Sequence, residues 1–161
     1  MNAACGTMQS HQRMDFLNTD FLCSEELRLL LDHTAEADPV RDFVPAYHFK
    51  ICLPDGTMIG RCDLRIGHSR KLYYGGNIGY GIFPDYRGRH YAEKACRLLL
   101  MLAKRHGLGY VIITCRPDNL PSRRTCERLG GKLLEITELP EDNDMRRDRG
   151  YSQVCVFRYE L

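Results

Sequence analysis

The chain has 161 residues, 43% of them hydrophobic, which is enough for one buried core and too little for a second domain of ordinary size. Its 23 Lys and Arg nearly balance its 21 Asp and Glu, and the net charge of +2 lies far below the basic excess typical of proteins that bind nucleic acid by charge. We therefore expect a single domain without a nucleic-acid partner.

The N-terminal residues predict neither export nor membrane insertion. Residues 1–7 lack the basic start and apolar run of a signal peptide, and no stretch reaches about 18 uninterrupted apolar residues. Residues 1–13 are polar and aperiodic, which predicts a flexible tail before a single domain over residues 14–161. We expect a cytoplasmic protein that does not contact membranes.

The eight cysteines indicate neither a disulfide framework nor a metal site. No two of them stand at the C-x-x-C spacing, and most fall inside apolar runs. They are expected to be reduced and buried, where a thiol packs as a small hydrophobic group. No metal is expected.

The first elements after the tail are predicted to be a strand and a helix. Residues 14–17 are mostly apolar and fit a short strand. Ser24 is followed by acidic residues, a pattern typical of a helix start. This helix is predicted to run to Ala35.

The middle of the chain predicts a hairpin, a strand and a long helix. Two strand-like runs flank the Pro-Asp-Gly turn at residues 54–56. A further strand is predicted over residues 77–83 and ends at Pro84. Apolar residues then recur at helical spacing, and this helix is predicted to begin near His90 and to end at residues 106–107.

The last third of the chain completes a mixed fold. Residues 111–115 predict a short, buried, central strand, and Ser122 is expected to cap a helix that ends at residues 130–131. Two last strands, at about 132–139 and 153–161, flank a charged loop. The order of elements predicts an α/β or α+β domain, with helices on the faces of a mixed sheet.

The turn between the strand at residues 77–83 and the long helix has the features of a phosphate site. A strand that ends in a glycine-bearing turn and leads into a helix directs unpaired N–H groups, and the positive end of the helix dipole, at one place. Arg87 and Arg89 add positive charge on either side of Gly88. Taken alone, the pattern fits a basic surface turn equally well.

Residues 87–92, Arg-Gly-Arg-His-Tyr-Ala, resemble the pyrophosphate loop of the GCN5-related N-acetyltransferases, or GNAT enzymes. In that family the loop begins with Arg or Gln, which is followed by two residues of any type and a Gly. One further residue of any type then precedes a Gly or Ala. His90 stands where the family usually has its second Gly, which lets the backbone approach the pyrophosphate. A histidine in the right-handed helical region is expected to keep its N–H free if the imidazole points outward.

A second part of the family pattern follows the strand at residues 111–115. Asn119 lies in the loop after this strand, as the family's Asn does, and Gly130 ends the next helix. Cys126 occupies the place of the Tyr that usually lies seven residues after that Asn. The resemblance is close over residues 77–135.

The resemblance implies a mostly antiparallel central sheet, helices on both faces, and a V-shaped gap between two central strands that holds acetyl-CoA. Pantetheine would lie along the backbone of Tyr80, Gly81 and Ile82. The pyrophosphate loop would comprise Arg87, Gly88, Arg89, His90, Tyr91 and Ala92. Asn119 would bind pantetheine or hold its loop, and a plain helix-entry role for Asn119 remains open.

The resemblance leaves the catalytic groups less defined. The backbone N–H of Ile82 is the implied oxyanion donor. Cys126 could protonate the departing thiolate directly or through water, the thiolate could leave unaided, or Cys126 could merely pack, since a thiol is a weak donor on a short side chain.

A general base is harder to assign, because Thr114 stands where some relatives carry a Glu. The candidates are Tyr80, His48, Asp63 and His68, or a water wire.

We therefore expect an N-acetyltransferase that moves an acetyl group from acetyl-CoA to a primary amine of a small molecule, peptide or protein by direct attack in a ternary complex. The alternatives are a non-catalytic acyl-CoA-binding or sensing module and, with less support, a nucleotide-binding protein. In the family, N-terminal helices and the last loop select the acceptor. The charged residues 141–150 fit that role or a solvated loop, and a homodimer through the C-terminal strands is a candidate assembly.

Overall fold

The computed structural model of the chain describes residues 13–161, so the tail predicted at residues 1–13 lies outside the described part except for its last residue. In chain order the elements are β1 (Arg28–Ala35), β2 (Ala46–Cys52), β3 (Met58–Arg65), α1 (Arg70–Gly75), β4 (Ile78–Ile82), a 3-10 turn (Pro84–Tyr86), α2 (Tyr91–Arg105), β5 (Tyr110–Cys115), α3 (Leu120–Arg128), β6 (Lys132–Glu138), α4 (Asp144–Arg149) and β7 (Gln153–Glu160).

The first four strands form an antiparallel sheet in the order β1-β2-β3-β4. The predicted hairpin at residues 54–56 is confirmed, and its turn is fixed locally because the Asp55 carboxylate accepts the N–H of Thr57 at 2.9 Å. One face of this sheet packs on α2 through apolar residues of both elements, among them Cys62, Leu64, Ile78 and Leu99. We call the opposite face of β1–β4 the outer face.

The helix predicted from Ser24 to Ala35 is wrong, because most of this segment is strand β1. Ser24 does cap a turn, and its Oγ accepts the N–H of Leu27 at 3.1 Å. Beyond that turn the buried leucines are Leu27 and Leu29, whose spacing of two residues is the strand period. Pairing with β2 therefore prevails over a local helix-start signal.

The strand predicted at residues 14–17 is also wrong. These residues form no ladder, and Met14 and Phe16 instead pack against the core. The hydroxyl of Tyr47 holds the segment in place, since it accepts the N–H of Leu17 at 2.8 Å and lies 2.6 Å from Nε2 of His106, at the end of α2. The apolar side chains of this segment pack against the core, but its backbone does not pair with a strand.

The last three strands form a second antiparallel sheet in the order β5-β7-β6. This sheet is covered on both faces. Leu102 of α2 and Cys126 of α3 share one cluster with Ile113, while α1 and α4 lie on the other side. The mixed α+β class is confirmed, as is the burial of the strand at residues 111–115.

The two sheets meet at β4 and β5, which touch at one end and then separate. At the closed end the N–H of Asn77 donates to the carbonyl of Ile112 at 2.7 Å, and the N–H of Ile112 donates to Oδ1 of Asn77 at 2.9 Å. Beyond this point β4 and β5 share no ladder among residues 13–161. The result is a V-shaped gap between two neighbouring strands.

Two short helices, α1 and α4, were not predicted, and the N-terminal helices that the resemblance implied are absent from the described residues. The charged segment at residues 141–150 contains α4, which Asn143 caps by accepting the N–H of Met145 at 3.0 Å. By contrast, no helix precedes β2 in the described residues, where the resemblance implied N-terminal helices. Residues 36–45 join β1 to β2 by turns, so no helix of the described residues lies in this connection.

Candidate active site

The turn after β4 is held by its own residues. The guanidinium Nε of Arg87 donates to the carbonyl of Ile82 at 2.9 Å, which ties the end of the turn back to the strand. Gly88 has φ +83, a conformation that favours glycine. No side chain of the described residues caps the first turn of α2, so its leading N–H groups remain available to an anion.

His90 is the N-cap of α2 and lies in the left-handed region, with φ 62 and ψ 22. The expectation of a right-handed His90 is wrong, because the turn needs positive φ where the family usually has glycine. For a residue with a side chain this conformation costs roughly 1–2 kcal/mol. The imidazole is half-exposed, and its Nδ1 accepts a hydrogen bond from the Arg128 guanidinium of α3, which holds it beside the turn.

A cleft of about 1660 Å³ connects this turn with the gap between β4 and β5. Nine of the predicted cofactor residues line the cleft: Tyr80, Gly81, Ile82, Arg87, Gly88, His90, Tyr91, Ala92 and Asn119. Arg89 is exposed and does not line it. The structure thus brings together residues from a strand, a turn and two helix starts.

Asn119 caps α3, in place of the predicted Ser122. Its Oδ1 accepts the N–H of Ser122 at 3.3 Å, so the helix-entry role that the sequence left open is the one observed. Because α3 starts one turn earlier than predicted, the Ser122 hydroxyl does not cap the helix and is free for another contact. Asn119 also lines the cleft, and its contact with pantetheine stays a prediction.

Tyr80 and Ser122 form a pair of hydroxyl groups across the cleft wall. The Tyr80 Oη lies 2.7 Å from the Ser122 Oγ, a hydrogen bond in which either group can donate. Burial raises the pKa of the Tyr80 phenol, and the hydrogen bond from Ser122 opposes this only in part. The phenol is therefore protonated at neutral pH, and its place on the cleft wall is what makes it a candidate proton donor. Ser122 was missed as a site residue because its position predicted a helix cap.

Cys126 is fully buried and does not line the cleft. Its thiol interacts with that of Cys115, and this hydrogen bond, together with burial, raises the pKa of Cys115. The Cys126 carbonyl accepts the Tyr159 hydroxyl at 2.7 Å. The predicted acid is therefore placed in the core, whereas Ser122 and Thr125 of the same helix reach the cleft.

Two of the candidate bases lie together on the outer face. His48 and Asp63 line a smaller cavity of about 290 Å³ with Gly79, Tyr80 and Gly81 of β4. His68 lies elsewhere, with its ring stacked on Tyr110 at 4.0 Å. The register of β2, β3 and β4 places His48 beside Asp63, and Asp63 beside Gly79 on the strand that borders the gap. The sequence does not specify this register.

Residues 13–161 contain no group of three or more His, Cys, Asp or Glu side chains arranged to hold a metal ion. Within the same residues, no helix combines the length and apolar character needed to cross a membrane.

Comparison with known proteins identifies the family of the chain. A family model described as an acetyltransferase (GNAT) domain matches residues 5–132. The uncharacterized N-acetyltransferase YnaD of Bacillus subtilis (strain 168) is 34% identical over 73 residues, which make up 42% of this chain and 43% of that protein. The match thus spans less than half of the curated relative.

Solved structures share the fold. The GNAT-family acetyltransferase of Bacillus anthracis aligns with a TM-score of 0.57 and 21% identity, over 70% of this chain and 65% of that one. The microcin C7 self-immunity acetyltransferase MccE, in complex with acetyl-CoA and AMP, aligns with a TM-score of 0.56 and 22% identity, over 72% of this chain and 61% of that one. At such identities the likeness establishes the fold alone.

Proposed function

Because the chain belongs to the GNAT acetyltransferase family, whose domain model matches residues 5–132, we propose that it transfers an acetyl group from acetyl-CoA to a primary amine. The observation that carries the proposal is the continuous cleft from the uncapped start of α2 to the gap between β4 and β5. An anion site joined to an open strand edge suits a ligand with a pyrophosphate and an amide-bearing arm.

The backbone of β4 supports this assignment. The N–H of Phe83 donates to the carbonyl of Ile59 on β3 at 2.8 Å. Because backbone groups alternate in direction along a strand, the N–H groups of Tyr80 and Ile82 point the other way, into the gap. In our proposal they bind the pantetheine arm, and the Ile82 N–H stabilises negative charge that develops on the acyl oxygen.

The hydroxyl pair Tyr80 and Ser122 is the proposed source of the proton for the departing sulfur. Both groups line the cleft, and each can replace its proton through the other because they share a hydrogen bond. When bound, acetyl-CoA supplies the activated thioester. Cys126 stays a prediction as the acid, and from its buried position it would have to act through this pair.

The direct test is an assay of thiol release from acetyl-CoA with a panel of amines. We expect release of free CoA that depends on the amine, at a rate that saturates with both substrates. Tight binding of acetyl-CoA without amine-dependent release across the panel would support the alternative, a non-catalytic acyl-CoA-binding module. That alternative is favoured by Thr114, which stands in the cleft wall where some relatives carry a Glu.

A further inference from the structure

The outer face carries a row of four residues that ends at the cleft. His33 of β1, His48 of β2, Asp63 of β3 and Gly79 of β4 are partners in successive antiparallel pairs. Directly opposed residues on one face of a sheet interact side by side. The row therefore places two imidazoles and a carboxylate in line with the strand that borders the gap.

Gly79 brings the carboxylate onto the backbone of β4. A Cβ atom at Gly79 would lie 3.0 Å from Oδ2 of Asp63, closer than ordinary van der Waals contact, so the carboxylate lies directly over the glycine. At Gly81, two residues further along the same face, a Cβ atom would meet nothing within 4 Å. The outer face of β4 is thus covered by Asp63 at one position and open at the next.

Asp63 has unused capacity to accept hydrogen bonds. Its Oδ1 is buried and has no hydrogen-bond partner among residues 13–161. The Arg65 guanidinium lies 3.2 Å from this oxygen, close enough to offset its charge but without an aligned N–H, since Arg65 donates to the carbonyl of Gly76 at 3.0 Å. Because Oδ1 is shielded from solvent, an incoming cationic donor would meet Oδ2, the oxygen that lies over Gly79 on a side chain that is 22% exposed.

His48 has ring nitrogens that are free to take a proton. Its imidazole stacks on His33 at 4.3 Å and makes no hydrogen bond to another described residue, whereas His33 is paired with Asp32 at 2.6 Å. Burial lowers the pKa of His48, and of the charged groups that face it Asp63 and Asp32 raise that pKa while His33 and Arg65 lower it. At neutral pH the imidazole is unprotonated.

We propose that the acceptor amine enters across Gly81 from the outer face, that Asp63 binds its ammonium group over Gly79, and that His48 accepts its proton. The inference rests on the proposed function and adds the residues that bind and deprotonate the amine, which arrives as a cation. As the proton passes to His48, directly or by one water, the amine nitrogen bonds to the acyl carbon. The carbon–sulfur bond breaks, and the sulfur takes a proton from the hydroxyl pair of Tyr80 and Ser122. A second proton leaves the nitrogen to solvent, and the proton held by His48 returns through solvent to the hydroxyl pair, so that both groups regain their starting states.

The test compares His48→Gln and Asp63→Asn in amine-dependent CoA release as a function of pH. Loss of a general base is expected to lower kcat about 100-fold at neutral pH in His48→Gln. The deficit should shrink as the pH rises toward the pKa of the amine, because the amine then arrives already deprotonated. Asp63→Asn should mainly raise KM for the amine, since it removes the charge that binds the ammonium group. The Kd for acetyl-CoA, measured by calorimetry, should not change in either variant.

His68→Gln is the matched control, because His68 is another histidine whose pKa burial lowers, but it stacks on Tyr110 outside the row. It should retain wild-type kcat and pH profile. If His48→Gln binds acetyl-CoA normally and keeps the wild-type kcat and pH profile, the inference is overturned and the proposed function stands. If the wild type releases no CoA with any amine, both are overturned.

Discussion

Asn77 and Ile112 exchange two hydrogen bonds, one from backbone to backbone and one from the Ile112 N–H to the Asn77 side chain. This is where β4 and β5 meet, and the gap that lines the candidate cleft opens from it. The Nδ2 of Asn77 also donates to the carbonyls of Arg65 at 3.0 Å and Gly67 at 2.8 Å. A single buried amide therefore fixes the closed end of the V against three backbone groups.

Replacement of Asn77 should destabilise the fold and weaken cofactor binding together. Asn77→Ala leaves a buried N–H and two carbonyls without partners, for which we expect a loss of about 2–3 kcal/mol in the free energy of unfolding. Urea unfolding measures this loss, and calorimetry measures the Kd for acetyl-CoA. Asn18→Ala, which removes only an exposed local contact, is the control. Equal stability of the two variants would contradict this role of Asn77.

Removal of the hydroxyl pair should slow the reaction without weakening cofactor binding. For Tyr80→Phe and Ser122→Ala we expect kcat to fall by about 100-fold, because each variant removes a proton donor or its partner. Steady-state kinetics and calorimetry separate kcat from the Kd for acetyl-CoA. Cys126→Ala tests the remaining prediction for the thiol: an unchanged kcat would remove Cys126 as the acid, and a loss in Cys126→Ala alone would assign the acid to the thiol.

Position 90 should distinguish residues by the conformation they tolerate. His90→Gly removes the strain of a histidine in the left-handed conformation. It also raises the conformational entropy of the unfolded chain and removes the partner of Arg128. We therefore expect a small net change in stability and retained binding of the cofactor. His90→Val puts a branched side chain at φ 62 and should lower the melting temperature and weaken acetyl-CoA binding. Normal binding by His90→Val would show that the turn does not need this conformation.

The two glycines on the outer face of β4 should respond differently to alanine. Gly79→Ala forces a methyl group to 3.0 Å from Asp63, so the carboxylate must move and the variant should be less stable. Gly81→Ala meets no atom within 4 Å and should fold normally. Thermal unfolding of both variants checks the difference, and equal melting temperatures would place Asp63 away from Gly79.

Stability should fall as the solution is acidified below the usual pKa of histidine. Burial lowers the pKa values of His48, His68 and His106 in the folded chain. As the pH falls through about 6.5 the unfolded chain binds protons first, which favours unfolding until the folded pKa values are reached. The urea midpoint at pH 7 and pH 5 measures the loss, which His106→Gln should reduce. A urea midpoint that is the same at pH 7 and pH 5 would contradict the predicted loss of stability on acidification.

The sequence predicted those elements whose signals are local and repeated. The hairpin around residues 54–56 and the long helix α2 carry turn residues or several turns of periodic apolar side chains. In β1 a helix-start signal at Ser24 competes with strand pairing, and pairing depends on a partner 11 to 24 residues away that no local pattern reveals. The short helix α4 did carry readable signals in Asn143 and Gly150, which its dense charge obscured.

The site was predictable where it follows a linear motif and unpredictable where it depends on register. Residues 87–92 could be singled out because a phosphate site is built from consecutive N–H groups, and all of them except Arg89 line the cleft. The pairing of Tyr80 with Ser122, and of His48 with Asp63, joins residues distant along the chain. Such neighbours follow from how strands align and where helices start, and a one-residue shift in register would separate them.

The turns at residues 36–45 leave the four-stranded sheet with a helical layer on one side only. The same connection nevertheless borders the cleft through Asp42 and Phe43, and Lys71 of α1 and Asp142 lie on the cleft wall as well. Under the proposed chemistry the remainder of an acceptor would therefore meet side chains of both charges once its amine lies on the sheet. Such an enzyme would choose its substrate by the charges on the carrier as well as by the basicity of the amine.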